Sequence, residues 1–416
     1  MNAYEGWLNQ LINTHKEEYQ AWSGLRWMNP YQAEEFQANR DLLLSRGGNA
    51  PLFRGTKPFH KQISRGCSLC GAGEWSCLFV TGRCNGRCFY CPTSQERDEV
   101  PSTQGMDFPE PADFAQYVKH FGFSGVSFSG GEPLLFFERT LAYLKEVRKV
   151  AGSGVYVWMY TNGILADKEK LAALASEGLD EIRFDIGATA YRLDRVEMAR
   201  GIVPVVTIEI PAVPEEKKRI LGFLPQMVRA GVSNLNLHQL RLTPHNVHAL
   251  SRRNYTYVPA EKPLVLESEL TALEILEAAR TMDLDMGVNY CSFHFKHRFQ
   301  KAGFRTRMAK AAMPSGGVLT SNGYLRYDEG SDLRYTAFRV GGKGAPVYPS
   351  DRVWEMPLSI PSALIETRVF DLRGLTPVQR REVDRMLEVE PSVPPSDPLL
   401  FRIWQLEYVE QGLREY

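Results

Sequence analysis

From about residue 76 to residue 283, short β-branched and aromatic runs alternate with longer stretches that carry apolar residues every three or four positions. The short runs predict strands at residues 76–81, 126–129, 155–160, 181–185, 204–210 and 234–240. The longer stretches predict amphipathic helices at residues 112–120, 137–150, 168–178, 215–230 and 267–282. This rhythm indicates βα units and an α/β fold with a parallel sheet, whose ligands bind in the loops that follow the strands.

Two flanking regions depart from this rhythm. Residues 1–60 mix tryptophan and tyrosine with charged residues, which predicts a helical extension that either covers the strand ends or packs on a neighbouring surface. After residue 292 the pattern predicts a hairpin at 318–326 with an Asn-Gly turn, a strand at 363–372, a capping-box helix from Thr376 and a C-terminal helix at 399–411. We therefore expect a helical extension over residues 1–60, a sheet domain over 61–295 and a small α/β domain over 296–416.

Composition narrows the class of protein. With 416 residues, of which 44% are hydrophobic, the chain can bury one large core and a smaller one. Lys and Arg total 49, as do Asp and Glu, so no overall field attracts nucleic acid. The first residues lack a basic stretch followed by an apolar one, and no apolar run is long enough to span a bilayer. These features predict a cytoplasmic protein without membrane or nucleic-acid partners.

Three cysteines form the clearest chemical motif of the chain. Cys84, Cys88 and Cys91 follow the spacing C-x3-C-x2-C. A cubane iron–sulfur cluster takes four ligands, so three thiolates leave one iron able to chelate a small molecule. A zinc knuckle or a structural site is the alternative, since Cys-x2-Cys is common in both.

A second motif accompanies the triplet. Residues 129–133 read Ser-Gly-Gly-Glu-Pro directly after the apolar segment 126–128, and Tyr90 precedes the third cysteine. Together these motifs resemble the radical SAM superfamily, and the wider pattern resembles its members related to pyruvate formate-lyase activating enzyme. The resemblance implies a partial (β/α)6 barrel in which a [4Fe–4S] cluster binds S-adenosylmethionine (SAM). Reductive cleavage of SAM then gives a 5′-deoxyadenosyl radical that abstracts hydrogen from an organic substrate.

The resemblance also implies roles for single residues. Tyr90 would lie against adenine, and the SAM ammonium group would meet the segment made of Gly130, Gly131, Glu132 and Pro133, with the carboxylate of Glu132 as acceptor. Asp185 corresponds to an aspartate that lies near SAM in glycyl-radical activating enzymes. Two positions depart from those enzymes: Tyr160 stands where they have aspartate, and Gly187 where they have lysine.

Polar residues at other strand ends are further candidates. Thr161 and Asn162 could hydrogen-bond the ribose hydroxyls of SAM, or could simply form a turn before a helix. If the alternation holds, Glu209 on the fifth strand points into the barrel or its rim, as do His238, Gln239 and Arg241 on the sixth. Each could contact a ligand, and a salt bridge between Glu209 and Arg241 is equally compatible with the pattern. The basic segment 293–310 could grip an acidic substrate or form a solvated helical face over buried rings.

The four remaining cysteines predict a second metal site, formed by Cys67, Cys70, Cys77 and Cys291. Thiolates suit zinc, a lone iron or an auxiliary [4Fe–4S] cluster, and the resemblance favours the cluster. His294 or His297 could replace Cys291, which could also be an ordinary core residue. Because Cys77 precedes Cys84 by seven residues, the two lie at most about 25 Å apart, which suits electron relay or a structural staple.

The leading functional hypothesis is a radical SAM enzyme. Its substrate is an organic molecule that could be a peptide or protein, and the resemblance implies a low-potential electron donor of the flavodoxin or ferredoxin type. One alternative is a cobalamin-dependent radical methyltransferase, although the chain has no Asp-x-His-x2-Gly motif. The other alternative is a noncatalytic protein that binds metal or senses redox state.

Overall fold

The computed structural model describes residues 3–46, 50–260, 262–312, 317–338 and 365–408. Two positions of the predicted strand at 363–372 and three of the predicted helix at 399–411 lie outside these residues.

Seven parallel strands form the centre of a ten-stranded sheet. In chain order they are β1 Trp75–Thr81, β2 Gly125–Gly130, β3 Tyr156–Thr161, β4 Glu181–Phe184, β5 Val205–Pro211, β6 Asn234–His238 and β7 Gly287–Cys291. They lie side by side in that order, with antiparallel edge strands Phe59–His60 beside β7, and Ser102–Thr103 and then Met106–Asp107 beside β1. Because the sheet ends in two separate edges, the described residues form a partial barrel, as predicted.

Twelve helices of six residues or more surround the strands within the described residues. They are α1 Ala3–Glu18, α2 Pro30–Ser45, α3 Arg65–Gly71, α4 Pro111–His120, α5 Phe137–Ala151, α6 Lys168–Ser176, α7 Asp194–Ala199, α8 Lys217–Arg229, α9 Leu266–Thr281, α10 Lys301–Ala312, α11 Pro377–Glu388 and α12 Pro398–Glu407. Short helical turns at Phe293–Phe295 and Lys296–Gln300 join β7 to α10. None of the helices that the structure describes is both long enough and apolar enough to cross a bilayer.

The two faces of the barrel sheet differ in chemistry. Alternate strand residues point to opposite faces, so one face can be apolar while the other is polar. On the helix-covered face, Leu78 and Phe128 are fully buried in the main core. On the inner face, Arg183 and Glu209 form an ion pair with Nη1 and Oε2 2.8 Å apart. The barrel therefore has a polar interior.

The short helix α3 packs against this polar interior. Its N-cap Ser64 accepts hydrogen bonds from Cys67 N at 3.2 Å and from Arg183 Nη2 at 2.9 Å. A Cβ added at Gly66 would lie 2.3 Å from Arg183 Nη2, so only glycine permits this approach. Helix α3 thereby carries Cys67 and Cys70 to the inner side of the barrel, where both are buried.

The C-terminal part forms an antiparallel sheet with its own core. Its strands are β8 Val318–Leu319, β9 Leu325–Asp328, β10 Asp332–Phe338 and β11 Ile365–Asp371, paired in that order. Helix α12 contributes the fully buried Trp404 to this core, and α1 packs on it through Tyr4 and Trp7, whose rings lie 6.4 and 6.3 Å from Phe401. Helix α2 instead joins α9 through Arg40 Nε and Glu269 Oε1 at 3.3 Å. The N-terminal extension therefore contacts both other parts.

Local structure follows the sequence-based expectations closely. The six predicted strands and five predicted helices of the sheet domain all form, each within two residues of the expected bounds. The hairpin around Asn322-Gly323 is confirmed by antiparallel pairing of Val318 with Arg326, and Gly323 has φ of +79°. The prediction missed β7, because a five-residue run buried along its whole length has no alternation of polar and apolar positions.

Candidate active site

A cavity of about 680 Å³ opens at the carboxyl ends of the parallel strands. Its lining includes the cysteine triplet and most of the predicted ligand-binding residues: Cys84, Cys88, Tyr90, Cys91, Gly130, Gly131, Thr161, Asn162, Asp185, Glu209 and His238. Glu132 and Pro133 are buried behind this lining. The structure thus places the loop after β1 and the ends of β2 to β6 around one space.

The donor set of the triplet fits an iron–sulfur cluster. Cys84 Sγ accepts hydrogen bonds from Gly86 N at 3.3 Å and Asn162 Nδ2 at 3.6 Å, and such bonds stabilise a ligating thiolate. Burial raises the pKa of the Cys84 thiol and raises that of Cys88 to about 12. These thiols would therefore ionise at neutral pH only when a metal ion compensates the thiolate charge.

The glycines after β2 allow a close approach between two segments of backbone. Gly130 has φ of +117°, and a Cβ added there would lie 2.3 Å from Thr81 O. At Gly131 a Cβ would lie 2.0 Å from Arg83 O, while Gly131 N donates to Thr81 O at 2.7 Å. The glycine pair therefore holds the end of β2 against the chain that leads into the triplet, a requirement separate from any ligand.

The carboxylate of Glu132 is occupied by protein donors. Oε1 accepts from Leu134 N at 2.9 Å and from Thr161 Oγ1 at 2.8 Å, and Oε2 accepts from Asn162 N at 2.7 Å. Burial raises the pKa of Glu132 to about 7 although these hydrogen bonds oppose the rise. In this structure Glu132 fixes the loop after β3, and the predicted contact with the SAM ammonium group stays a prediction.

Asn162 connects β3 to the triplet. Its Nδ2 donates to Asn85 Oδ1 at 2.7 Å as well as to the Cys84 sulfur, and its Oδ1 accepts from Ile164 N at 2.9 Å. The sequence predicted either a contact with the SAM ribose or a turn at this position. The hydrogen bond from Ile164 N forms that turn. The contact with the triplet loop was not expected from the sequence.

Tyr90 and Asp185 are joined directly. The Tyr90 hydroxyl lies 2.8 and 2.9 Å from the two Asp185 carboxylate oxygens, and Gly187 N donates to Oδ1 at 3.0 Å. Burial raises the pKa of Asp185 to about 6. A Cβ at Gly187 would lie 2.4 Å from the Tyr90 hydroxyl oxygen. The position where activating enzymes carry lysine is therefore kept small here by a tyrosine of the triplet loop.

A chain of polar contacts crosses the inner face and includes several residues that line the cavity. Arg183 pairs with Glu181 at 2.9 Å and with Glu209 at 2.8 Å, and Glu209 Oε1 hydrogen-bonds His238 Nε2. Lys296 Nζ lies 2.7 Å from His238 Nδ1. Burial alone would raise the pKa of Glu209, but Arg183 and His238 hold it well below the ordinary value. The predicted alternative of an internal salt bridge at Glu209 is confirmed, but its partner is Arg183 on the neighbouring strand and not Arg241.

Three of the four remaining cysteines come together around Lys57. This lysine is fully buried, and its ammonium group interacts with the thiols of Cys67, Cys70 and Cys291. Burial alone would raise the pKa of Cys291, but Lys57 and His238 lower it to about 6. Burial raises the pKa of Cys70, and nearby Cys291 and Cys67 raise it further. The group can therefore hold thiolate charge beside a fixed cation.

Cys77 has different surroundings. Its thiol hydrogen-bonds Ser127 and Ser129 on β2, and burial raises its pKa to about 11. The described residues contain no group of three or more His, Cys, Asp or Glu side chains placed to hold one metal ion. The His294 side chain is half-buried, whereas the His297 side chain lies outside the described residues.

Several residues at the site were not predicted. Arg183 could have been found from its alternation with Glu181 and Asp185 on one strand. Lys57 could not have been found in this way, because a single lysine before Pro58 is expected to be exposed to solvent. Gln300, whose Nε2 donates to the Cys70 sulfur, belongs to a helical turn far along the chain.

The chain is similar to known proteins over part of its length. The family model described as the radical SAM superfamily matches residues 78–222. Over 294 residues the chain is 26% identical to a provisionally named glycyl-radical enzyme activating enzyme of Methanocaldococcus jannaschii, covering 66% of this chain and 77% of that protein. Over 140 residues it is 32% identical to GTP 3′,8-cyclase of Corynebacterium glutamicum, covering 32% of this chain and 37% of the cyclase. Streptococcus suis SuiB bound to S-adenosylmethionine is similar over 59% of this chain and 58% of SuiB, with 12% identity and a TM-score of 0.37.

Proposed function

We propose that the cavity described above is the active site of a radical SAM enzyme that acts on a peptide or protein, because residues 78–222 match the radical SAM family model. When bound, the [4Fe–4S] cluster and SAM supply the chemistry, because one-electron reduction breaks a C–S bond of SAM and yields a 5′-deoxyadenosyl radical that removes hydrogen from the substrate. The observation that carries the proposal is the placement of Cys84, Cys88 and Cys91 on the same cavity as the glycine segment after β2.

The residues of the chain divide the work of binding. Cys84, Cys88 and Cys91 would hold the cluster through three irons. The Gly130–Gly131 backbone and Asp185 would orient SAM, because all three line the cavity beside the triplet. Glu132 and Asn162 would keep these segments in register through the hydrogen bonds they already make.

A test of the core proposal uses anaerobically reconstituted, reduced protein. We expect it to convert SAM into 5′-deoxyadenosine, and we expect Cys88→Ala to abolish that product. Ser94→Ala is the matched control, because Ser94 is exposed in the same loop. Product formation by Cys88→Ala at the wild-type rate would contradict the assignment of the triplet.

The name of one relative supports the proposed substrate class. The relative from Methanocaldococcus jannaschii is named as an activator of a glycyl-radical enzyme, that is, of a protein. Deuterium transfer from labelled host protein into 5′-deoxyadenosine would support a protein substrate. Transfer only from the low-molecular-weight fraction would contradict it.

The proposed electron donor is a low-potential flavodoxin or ferredoxin. Arg83 and Arg87 are exposed on either side of Cys84, so an acidic carrier would meet positive charge near the cluster. We expect Arg83→Gln combined with Arg87→Gln to slow SAM cleavage driven by flavodoxin and to leave cleavage driven by dithionite unchanged. Equal slowing with both reductants would contradict this docking site.

We also propose that Cys67, Cys70, Cys77 and Cys291 hold a second centre, an auxiliary [4Fe–4S] cluster rather than zinc. The grouping of three of these thiols inside the barrel supports the second centre. The resemblance to radical SAM proteins favours a cluster over zinc. Iron and sulfide analysis together with electron paramagnetic resonance gives the number of clusters per chain. We expect this number to fall from two to one when Cys84, Cys88 and Cys91 are all changed to alanine.

Cobalamin binding, the alternative chemistry, stays a prediction that the absorbance of purified protein would check.

A further inference from the structure

More cationic than anionic side chains line the cavity among the described residues. Among the described residues, Arg183, Arg241, Lys262, Lys296 and Lys301 line it, against the two carboxylates of Asp185 and Glu209. Both carboxylates already have partners in the protein, since Asp185 accepts from Tyr90 and Glu209 pairs with Arg183 and His238. The wall made by β6 and the segment before α10 therefore presents positive charge to whatever enters.

Arg241 has the features of an anion ligand. Its guanidinium lies over the Phe293 ring, with Cζ 5.0 Å from the ring centroid, and burial lowers its pKa. Within the part of the chain that the structure describes, no carboxylate lies within ion-pair distance of it. A guanidinium without a carboxylate partner keeps its fork of N–H donors available to a carboxylate or phosphate of a ligand.

Lys296 contacts an imidazole, that of His238. An ammonium group has no acceptor, so His238 Nδ1 accepts from Lys296 and the ring proton on Nε2 faces Glu209. The Arg183–Glu209 pair holds that imidazole in place from the other side. Lys296 is therefore oriented by an imidazole instead of being neutralised by a carboxylate.

We propose that Arg241 and Lys296 form the binding site for an oxyanion, a carboxylate or phosphate, of the substrate. This assignment rests on the proposed function, because it places the anionic group of the substrate in the same cavity as the cysteine triplet. SAM itself carries a carboxylate, so the experiment has to distinguish binding of the SAM carboxylate from binding of a substrate oxyanion.

The experiment uses full-length protein, reconstituted with iron and sulfide and saturated with SAM, at low ionic strength. Pyrophosphate and glutarate are titrated separately by isothermal titration calorimetry. We expect at least one of them to bind wild type, and Arg241→Gln and Lys296→Met each to weaken that binding at least tenfold. Arg241→Lys should fall between wild type and Arg241→Gln, because it keeps the charge but loses the fork of donors.

Two matched controls remove equal charge elsewhere. Arg252→Gln and Lys310→Met change exposed residues outside the cavity lining, and we expect less than a twofold effect on probe binding. Titration of SAM into the same variants provides the second arm. If Arg241→Gln and Lys296→Met weaken SAM as strongly as they weaken the probe, the two cations hold the SAM carboxylate and the proposal is overturned.

Two outcomes distinguish the oxyanion site from the radical SAM activity on which it rests. Wild type that produces 5′-deoxyadenosine yet binds neither probe contradicts the oxyanion site alone. Wild type that binds a probe through Arg241 and Lys296 but produces no 5′-deoxyadenosine contradicts the proposed function instead.

Discussion

Tyr90 and Asp185, which are 95 positions apart, are joined by a hydrogen bond that fastens the cluster loop to the end of β4. Gly187 makes this contact possible, because a side chain at that position would occupy the space of the Tyr90 hydroxyl. Glycine at position 187, where activating enzymes have lysine, thus leaves the space that Tyr90 of the triplet loop occupies. The predicted contact of the Tyr90 ring with adenine stays a prediction, now with the phenol end of the ring fixed.

Gly187→Ala should therefore displace Tyr90. Forcing one methyl group into this packed site should lower the free energy of unfolding by about 1–3 kcal/mol. We expect weaker SAM binding with unchanged iron content, measured by equilibrium dialysis and iron analysis. Gly222→Ala is the control, because a Cβ there meets nothing within 4 Å and a helical alanine should stabilise the protein. Equal effects from both substitutions would contradict the role assigned to Gly187.

Glu132 should make stability depend on pH. Its pKa in the folded protein is about 7, above the ordinary value of 4.5, because of burial. The folded state then binds the proton more tightly, so this stabilisation is complete below pH 4.5 and is lost as pH rises through 7, at about 3 kcal/mol in order of magnitude. Glu132→Gln, which mimics the protonated acid, should flatten this part of the profile. Urea unfolding of both proteins from pH 5 to pH 8 checks this, and parallel profiles would refute it.

Arg183→Met should be strongly destabilising. The side chain is 3% exposed and pairs with two carboxylates, those of Glu181 and Glu209. Removing the shared cation leaves buried negative charge, for which about 3–5 kcal/mol is expected. Arg192→Met provides the comparison, since its side chain is 68% exposed and should matter little. Similar urea midpoints for both variants would rule out a buried ion-pair network.

Asn162→Ala should lower the reduction potential of the cluster. The amide of Asn162 donates to Cys84 Sγ at 3.6 Å, and losing a hydrogen bond to a thiolate ligand favours the oxidised cluster. A difference of about 1 kcal/mol corresponds to roughly 40 mV for one electron. Redox titration followed by electron paramagnetic resonance gives the value, with Asn39→Ala as an exposed control. An unchanged or raised potential would argue against this hydrogen bond in the holoenzyme.

Local features of the site were accessible from the sequence because they depend on short spacing. The triplet and the segment from Gly130 to Pro133 are read within a few residues, and the strands and helices of the sheet domain follow from periodicity. Strand β7 escaped detection since burial on both faces removes that periodicity. Glu132 was predicted as a site residue. The hydrogen bonds that its carboxylate accepts from Thr161 and Asn162 were not predicted, because they depend on how β2 and β3 pair.

The sequence by itself predicted the fold class, because alternation and spacing are properties of neighbouring positions, and the resemblance of its motifs implied the cofactor chemistry. Only the tertiary structure decided which side chains meet. Lys57 among three cysteines, Arg183 in place of Arg241 as the partner of Glu209, and Tyr90 against Asp185 all follow from strand order and register. Those contacts join residues from different elements, and the free energy that selects them comes from packing and charge pairing across the whole barrel.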